Sequence, residues 1–374
     1  MGYAGLGTPR VEWAPTMEAF LARPHDALPV RVHFDRGAFE AHGLRTPFIV
    51  ADEGERPRPM VDGDVWALFP DARNSNATAY QRDLAATLQR GFETVTRRIV
   101  EGQVLRAPPD AYDGVAVGGG CALNVLSNSD VERTLAVPVA APPAPNDCGL
   151  AVGAAWHVQL PPERPRGLAY AGPRLFDEAD VDALLASGRF DVERDVGVDA
   201  LADLLAGGRV IGVARGAMEF GPRALGHRSL LADPSRPGSK DRLNAVKRRE
   251  WWRPTAPVVA FEDALRVFET LPRSPYMSFA PRLAPAAAAA LPGIAHFDGT
   301  ARPQVATRDA EPWLHALLLA VKRRSGWAAL INTSFNTKGR PILNTAREAL
   351  ALLEADGLDG VLIEDVLVTR KAAR

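Results

Sequence analysis

Apolar residues recur with a helical period in several stretches of the chain and predict most of its helices. Between 81 and 100 they are spaced by three and four positions, so they share one face of a predicted helix: Leu84, Leu88, Phe92, Val95 and Ile99. Comparable patterns predict helices that open at Cys121 or Ala122 and that span 150–158, 177–187, 198–208, 283–291, 312–326 and 345–357.

Short apolar runs bounded by turn-forming residues predict the strands. They lie at 28–34, 46–51, 115–117, 135–142, 209–216, 295–304, 327–336 and 360–370, the last as one continuous strand. Between 115 and 158 the order strand, loop and helix occurs twice. This order predicts an α/β unit with ligand-binding loops at the strand ends.

Chain length and a proline-rich interruption predict two domains. The chain has 374 residues, which exceeds the roughly 250–300 residues that one core usually serves. The stretch 160–173 contains four prolines and no clear period. We therefore predict a mixed α/β fold (α+β in part) with domains at 1–160 and 175–374, joined by a linker at 161–174.

Charge and cysteine content narrow the class of protein. The formal net charge is −1, from 44 basic and 45 acidic residues, which argues against general nucleic-acid binding. No apolar run approaches the ~18 residues that span a bilayer, and the first residues do not resemble a signal peptide. Two cysteines, Cys121 and Cys148, are too few for a disulfide framework. We predict a cytoplasmic protein without membrane contact.

Two loops in the first predicted domain are candidates for ligand binding. Gly118, Gly119 and Gly120 follow a strand, where backbone N–H groups can approach a phosphate, and Asn124 lies one turn further on. A plain tight turn is the alternative. Asp147 precedes the helix at 150–158 and either caps that helix or ligates a hard cation.

Positive charge is concentrated between 217 and 254. The stretch carries Arg223, Arg228, Lys247 and Arg253 in a backbone constrained by glycine and proline. A positioned arginine fork suits phosphate or carboxylate, whereas unconstrained surface charges are usually solvated. Hydroxyl, amide and guanidinium donors recur at 298–304 and at 332–336. These segments together predict an anion pocket that is rich in donors and takes two phosphate-bearing substrates.

Specific motifs carry a family resemblance. FGPRALGHRSLLADP, NAVKRREWWRPTAP, HFDGTARPQ and INTSFNTKGRPI, with GGGCALN and NDCGLAVGAA upstream, resemble the successive signatures of the ATP-dependent O-carbamoyltransferases of nodulation and antibiotic tailoring. The resemblance covers most of the chain after residue 75. It implies the C-terminal part of an actin-like domain, similar to the tRNA threonylcarbamoyl transferase, followed by a carbamoyl-adenylate-synthase-like α/β domain.

The resemblance also implies chemistry. Carbamoyl phosphate and ATP, with Mg²⁺, would give carbamoyl adenylate, and a hydroxyl of a small-molecule acceptor would then take the carbamoyl group near a metal, usually iron (Fe²⁺). The residues implied to hold the carbamoyl donor are Arg223, Lys247, Arg302 and Ser334, supported by Arg228, Arg253 and Asn332. In the first domain the nucleotide loop is implied at Gly119, Gly120 and Asn124, and a metal-binding aspartate at Asp147.

Some features depart from the family pattern. The chain begins inside the family's first domain, so we expect a partner polypeptide that carries the N-terminal half; a truncated chain or a lost transfer activity are the alternatives. His227 stands where the family usually has asparagine, Arg340 where it has glutamate, and Thr255 where it has an aromatic residue. Two other functions remain open: a non-catalytic or regulatory nucleotide-binding subunit, and a tRNA threonylcarbamoyl-type transferase.

Overall fold

The computed structural model describes residues 4–15, 79–104, 108, 112–135, 138–163, 167–271, 275–355 and 357–371. The strands predicted at 28–34 and 46–51 lie outside these residues. The chain divides into two compact units, the first comprising Met1–Ala111 with Arg133–Leu135 and the second comprising Tyr112–Glu132 with Ala136–Arg374. The domain boundary expected at 161–174 stays a prediction.

In the first unit, a long helix (α1) spans Ala79–Val104. It confirms the predicted helix at 81–100, although Leu88 and Ile99 of the predicted apolar face are exposed. Asp83 on this helix accepts a hydrogen bond from Arg10 Nε at 2.7 Å. None of the helices in the described ranges has the length and apolarity needed to cross a membrane.

The second unit starts with a two-stranded parallel sheet and two helices. The strands are Val115–Ala116 (β1) and Val139–Ala140 (β2), and the helices are Val125–Leu135 (α2) and Leu150–Val158 (α3). Helix α2 begins later than predicted because Asn124 is extended and separates it from a 3₁₀ turn. The Asn124 side chain caps the helix by accepting from Ser127 N at 3.2 Å.

The remainder of the second unit is built on an eight-stranded mixed sheet. Its strands are β3 (Phe190–Glu193), β4 (Ile211–Ala214), β5 (Arg228–Ala232), β6 (Ala256–Ala260), β7 (Gln304–Ala306), β8 (Ala329–Ser334), β9 (Gly360–Ile363) and β10 (Val366–Arg370). The order across the sheet is β3-β10-β9-β4-β5-β8-β6-β7. The helices are α4 (Val181–Leu185), α5 (Val198–Ala206), α6 (Ser239–Val246), α7 (Ala264–Val267), α8 (Pro285–Ala290), α9 (Pro312–Ser325) and α10 (Ala346–Ala355). The mixed α/β class is confirmed.

Alternating side chains of the strands supply two apolar layers. Leu230 and Ile331 belong to the layer covered by α6, α8 and α10. Leu231 and Leu330, each one position away, belong to the layer covered by α5 and α9. Successive side chains of a strand point to opposite faces of the sheet. A continuous apolar run therefore places apolar side chains on both faces, and both are buried here.

Two of the predicted strands differ from the structure. The segment 360–370 is a hairpin of β9 and β10 rather than one strand, with Glu364 in the left-handed region at φ 53°. In 295–304 only Gln304 is part of a strand. The rest is a turn in which Asp298 Oδ1 accepts from Thr300 N at 3.0 Å and from Thr300 Oγ1 at 2.7 Å. Local side-chain hydrogen bonding competes with strand formation here.

The strand directions place the candidate residues at one edge of the sheet. Strand β8 ends at Ser334, opposite the beginning of β5, since Ser229 pairs with Ser334. Strand β6 is antiparallel to β8 and begins at this edge. Strand β7 is parallel to β6, so Arg302 directly before it lies there as well. The segments around 223–228, 247–255, 302 and 334 therefore converge.

Gly212 in β4 provides a test of the core. A Cβ at this position would lie 2.6 Å from Cε1 of Phe335, whose ring is fully buried. We expect Gly212→Ala to lower the free energy of unfolding by about 1–3 kcal/mol, because the ring has no room to move. Gly153→Ala in α3 is the matched control. Its Cβ would meet no atom of the described residues within 4 Å, and alanine favours the helix by about 1 kcal/mol. Equal unfolding midpoints of the two variants in urea would contradict the prediction.

Candidate functional site

Lys247 and Ser334 meet at the edge of the sheet described above. Lys247 follows the last residue of α6 and is buried. Its Nζ donates to Ser334 Oγ at 3.1 Å, to the Asn336 carbonyl at 3.0 Å and to Asn336 Oδ1 at 2.6 Å, and it also contacts the Ser334 carbonyl. Burial, with repulsion from Arg249 and Arg253, lowers the pKa of Lys247 to about 7. The structure thus brings two predicted site residues together and adds Asn336.

Three arginines form the second part of the site. Burial holds the pKa of Arg302 well below its usual range, and repulsion from Arg223 and Arg249 adds to this effect. Burial also lowers the pKa of Arg223 and brings that of Arg249 to about 10. Within the part of the chain that the structure describes, neither Arg223 nor Arg302 donates a side-chain hydrogen bond to the protein. Desolvated cations without protein acceptors are costly unless an anion binds to them.

Arg249 and Arg253 border this group on one side. Arg249 Nε donates to Asn244 Oδ1 at 2.5 Å, and Asn244 Nδ2 donates to the Arg253 carbonyl at 3.1 Å. The Arg253 side chain is 45% exposed and pairs with Glu250 at 2.9 Å, and Lys338 pairs with the same carboxylate at 2.6 Å. Arg253 is therefore paired with a carboxylate at the margin of the site, whereas Arg249 donates to an amide oxygen and to the Pro254 carbonyl.

Arg228, predicted as a supporting residue, lies within the protein rather than on its surface. Its side chain is fully buried. The guanidinium donates to Asn344 Oδ1 at 3.0 Å, to the Arg215 carbonyl at 2.8 Å and to the Gly216 carbonyl at 3.1 Å. These bonds fix the loop between β4 and β5, which carries Arg223. Any effect of Arg228 on a ligand passes through that loop.

Asn332 links β8 to the same loop. Its Nδ2 donates to Gln304 Oε1 at 2.7 Å and to the Ala224 carbonyl at 3.3 Å. Gln304 Nε2 in turn donates to the Leu225 carbonyl at 2.6 Å. The Asn332 Oδ1 atom is buried and has no hydrogen-bond partner among the described residues. Asn332 thus holds the loop of Arg223 on the sheet.

Glu219 organises the loop from inside and was not identified from the sequence. Its Oε1 accepts from the backbone N–H groups of Leu225, His227 and Arg228 at 2.6, 2.8 and 3.1 Å. Its carboxylate is buried. Glu219 is the one acidic residue of the sequence between Arg215 and Arg228, and this was the available signal, since such a residue has a local partner to satisfy.

His227, which departs from the family pattern, braces the loop on its outer side. Nε2 lies 3.0 Å from Glu311 Oε1, and Nδ1 lies 2.5 Å from the Ala217 carbonyl. The ring stacks on Tyr170, with centroids 4.4 Å apart. Burial acts to lower the pKa of His227, but the hydrogen bond and charge of Glu311 outweigh it and raise the pKa. The charged imidazolium donates from both nitrogens to these two oxygens.

The residues predicted around β1 and β2 lie on two neighbouring loops. Gly119 has φ 81° and donates its N–H to the Pro145 carbonyl at 2.7 Å. Gly120 is exposed next to it, and Asn124 caps α2. Asp147 is exposed in the turn before α3. Over the described ranges, no three histidine, cysteine or acidic side chains form a metal-binding group, so a metal role for Asp147 stays a prediction.

The loop that carries Arg223 packs against the loop that leads to Asp147. A Cβ at Gly221 would overlap the Pro143 carbonyl, with the carbonyl carbon 3.0 Å away. Gly221 has φ 132°, a conformation that favours glycine. Helix α2 is fastened to the same part of the unit, since Asn128 Nδ2 donates to the Ser278 carbonyl at 2.9 Å. The predicted nucleotide loop and the cationic site are therefore parts of one compact unit.

Comparison with known proteins identifies the family. The family model described as Carbamoyltransferase C-terminus matches residues 202–370, and the one described as Carbamoyltransferase N-terminus matches residues 60–156. Nodulation protein NolO of Bradyrhizobium diazoefficiens is 36% identical over 310 residues, which are 79% of this chain and 56% of NolO. The 3'-hydroxymethylcephem-O-carbamoyltransferase of Amycolatopsis lactamdurans is 32% identical over 316 residues, 79% of this chain and 56% of that enzyme.

Similarity to solved structures is weaker. Sua5 of P. abyssi aligns with a TM-score of 0.31 at 13% identity, over 45% of this chain and 48% of that one; a score this low supports no argument. The chain spans about half the length of the curated relatives it matches. The two family models nevertheless match its N-terminal and C-terminal parts in the expected order. The motifs of the cationic site lie inside the match of the C-terminal model. The chain belongs to the carbamoyltransferase family.

Proposed function

We propose that the cationic site binds carbamoyl phosphate and ATP and forms carbamoyl adenylate. The observation that carries the proposal is that Arg223 and Arg302 are partly buried and repel each other, yet have no side-chain acceptor within the described part of the protein. Such cations favour an anionic ligand. Lys247 and Ser334 lie at the same edge of the sheet, where the ammonium form of Lys247 adds positive charge. Two substrates that both carry phosphate match this concentration of donors.

The proposed reaction has two displacement steps. Water releases inorganic phosphate from carbamoyl phosphate and leaves carbamate. A carbamate oxygen then attacks the α-phosphorus of ATP, the bond to the bridging oxygen breaks, and pyrophosphate leaves. The protein binds and aligns the two anions, and the fixed guanidinium groups stabilise the charge that develops on the phosphoryl oxygens. Ser334 acts as a hydrogen-bond donor in this scheme, and no covalent enzyme intermediate is required.

Mg²⁺ does not fit the donor set of the cationic site as a resident metal, and the iron implied by the resemblance belongs to the first domain, near Asp147. Its side chains are guanidinium, ammonium, hydroxyl and amide groups, and the carboxylate of Glu250 beside it is paired with Arg253 and Lys338. Hard cations require oxygen ligands with negative charge. We derive no step through a resident metal in this site; Mg²⁺ would enter as the counter-ion of ATP.

Transfer of the carbamoyl group to a small-molecule hydroxyl is the second half of the proposal. Helix α3 and the residues after it expose Leu150, Val158 and Leu160, each more than 65% exposed. We propose that a partner polypeptide of the N-terminal carbamoyltransferase type covers this apolar surface and completes the acceptor site. A cytoplasmic location stays a prediction.

Exchange of labelled pyrophosphate into ATP tests the first half directly. The purified chain is expected to catalyse exchange only when carbamoyl phosphate is present. Nucleotide binding without exchange would contradict the proposal and favour a non-catalytic subunit. Exchange supported by threonine and bicarbonate in place of carbamoyl phosphate would contradict it in favour of a threonylcarbamoyl-type enzyme.

A further inference from the structure

An exposed aromatic pair lies at the margin of the cationic site. Trp251 is 50% exposed and Phe297 is 51% exposed. Their rings meet edge to face, with centroids 6.0 Å apart and planes at 87°. Lys240 Nζ lies 4.8 Å from the centroid of the Phe297 ring. Two large aromatic rings held in contact with each other and with a cation, yet half open to solvent, form a binding surface rather than part of the core.

The pair is tied to the cationic site by hydrogen bonds. Asn244 Nδ2 donates to the carbonyls of both Trp251 and Arg253 at 3.1 Å. The other end of the same amide, Oδ1, accepts from Arg249 Nε at 2.5 Å. One buried side chain therefore links the backbone at Trp251 and Arg253 to the guanidinium of Arg249.

Phe297 is held in place from the other side of the site. It lies in the turn that leads to Arg302, and this turn is closed by His296 N, which donates to the Thr300 carbonyl at 2.9 Å. Burial, followed by repulsion from Arg302 and Lys240, helps to lower the pKa of His296 to about 4, which leaves that ring neutral near pH 7. The aromatic pair thus joins the segments that carry Arg249 and Arg302.

We propose that Trp251 and Phe297 form the platform on which the base of the nucleoside triphosphate stacks, while its phosphates lie on the neighbouring arginines and Lys247. This inference rests on the function proposed above. Lys240 covers part of the Phe297 ring, so the face of Trp251 is the larger stacking surface. A flat, polarisable base complements an indole face, and a polyphosphate complements the cations next to it. Carbamoyl phosphate has a phosphate but no base.

Calorimetric titration of the full chain with ATP and with inorganic tripolyphosphate separates the two contacts. Trp251→Ala is expected to weaken ATP binding about tenfold to a hundredfold, because one stacking contact is lost, and to leave tripolyphosphate binding unchanged. Trp251→Phe retains a ring and is expected to restore most of the ATP affinity. Equal losses for both ligands, or no loss for either, would overturn the platform.

Phe261→Ala is the matched control. Phe261 is also 50% exposed, but it directly follows β6, whose carboxyl end lies at the edge of the sheet opposite to Ser334. We expect this variant to bind ATP like the unmodified chain; a comparable loss of ATP affinity would overturn the assignment. If Trp251→Ala affects ATP alone but the unmodified chain shows no exchange, the platform stands and the proposed reaction fails. If exchange occurs and the KM for ATP is unchanged in Trp251→Ala, the platform fails and the reaction stands.

Discussion

Replacement of Arg302 by methionine is expected to reduce carbamoyl-phosphate-dependent exchange by about 10²–10³-fold, which is the usual effect of removing one positioned donor from an anionic transition state. The same replacement is expected to stabilise the fold. Arg302 is partly buried, is repelled by Arg223 and Arg249, and has no side-chain acceptor in the described part of the protein. Methionine keeps the unbranched apolar stem of the side chain and removes the guanidinium. Each 1 kcal/mol gained would raise Tm by roughly 2–4 °C.

Initial rates of exchange and thermal unfolding of the same preparations check both effects. Arg308→Met is the control, because Arg308 is an exposed arginine in the same region of sequence. It is expected to change neither rate nor Tm. A lower Tm for Arg302→Met would show that the guanidinium stabilises the folded state, and the proposed reason for an unpaired cation would then be wrong.

Anion binding is expected to weaken as the pH rises above 7, because Lys247 loses its charge there. Its pKa is lowered to about 7 by burial and by repulsion from two arginines. Below that pH the ammonium is present in the free protein, and above it the anion must bind together with a proton. Affinity is then expected to fall up to about tenfold for each pH unit. An ordinary lysine stays charged throughout this range and would give no such dependence of anion affinity on pH.

Sulfate is a suitable probe, since it does not change its own charge between pH 6.5 and pH 8.5. Calorimetry in two buffers of different ionisation enthalpy measures both affinity and proton uptake. Lys247→Met has no titrating amine and is expected to bind sulfate weakly, with little dependence on pH and no proton uptake at this position. Constant sulfate affinity of the unmodified chain across this range would show that Lys247 keeps its charge.

Strands β4 and β8 and helices α5, α9 and α10 of the second unit follow directly from the sequence, whereas β3, β5, β6, α6 and α7 were not predicted. The apolar periods at 198–208 and 312–326 match α5 and α9, which cover one face of the sheet. The hairpin at 360–370 was not predicted, because Glu364 adopts a left-handed conformation that the residue type does not reveal. The order of the strands in the sheet also could not be predicted from local sequence patterns. The pairings of β5 with β8 and β4 with β9 join segments far apart in the chain.

At the site, the residue types in the sequence predicted which side chains are present. The tertiary structure determines what each of these side chains contacts. Lys247 and Ser334 were expected together and are hydrogen bonded. Arg228 has the same charge as Arg223 and belongs to the same motif. Because β5 begins at Arg228, its side chain is buried and donates hydrogen bonds to backbone carbonyls. Glu219 has no periodic or motif signal, since its three partners are backbone N–H groups.

The close packing of Gly221 on Pro143 also matters for anyone who wishes to redesign this protein. A loop exchange that brings residues 217–228 from a relative must bring the segment around 143–145 from the same donor, because the contact leaves no room for a side chain at position 221. The two segments behave as a single module for recombination, although more than seventy residues of sequence separate them.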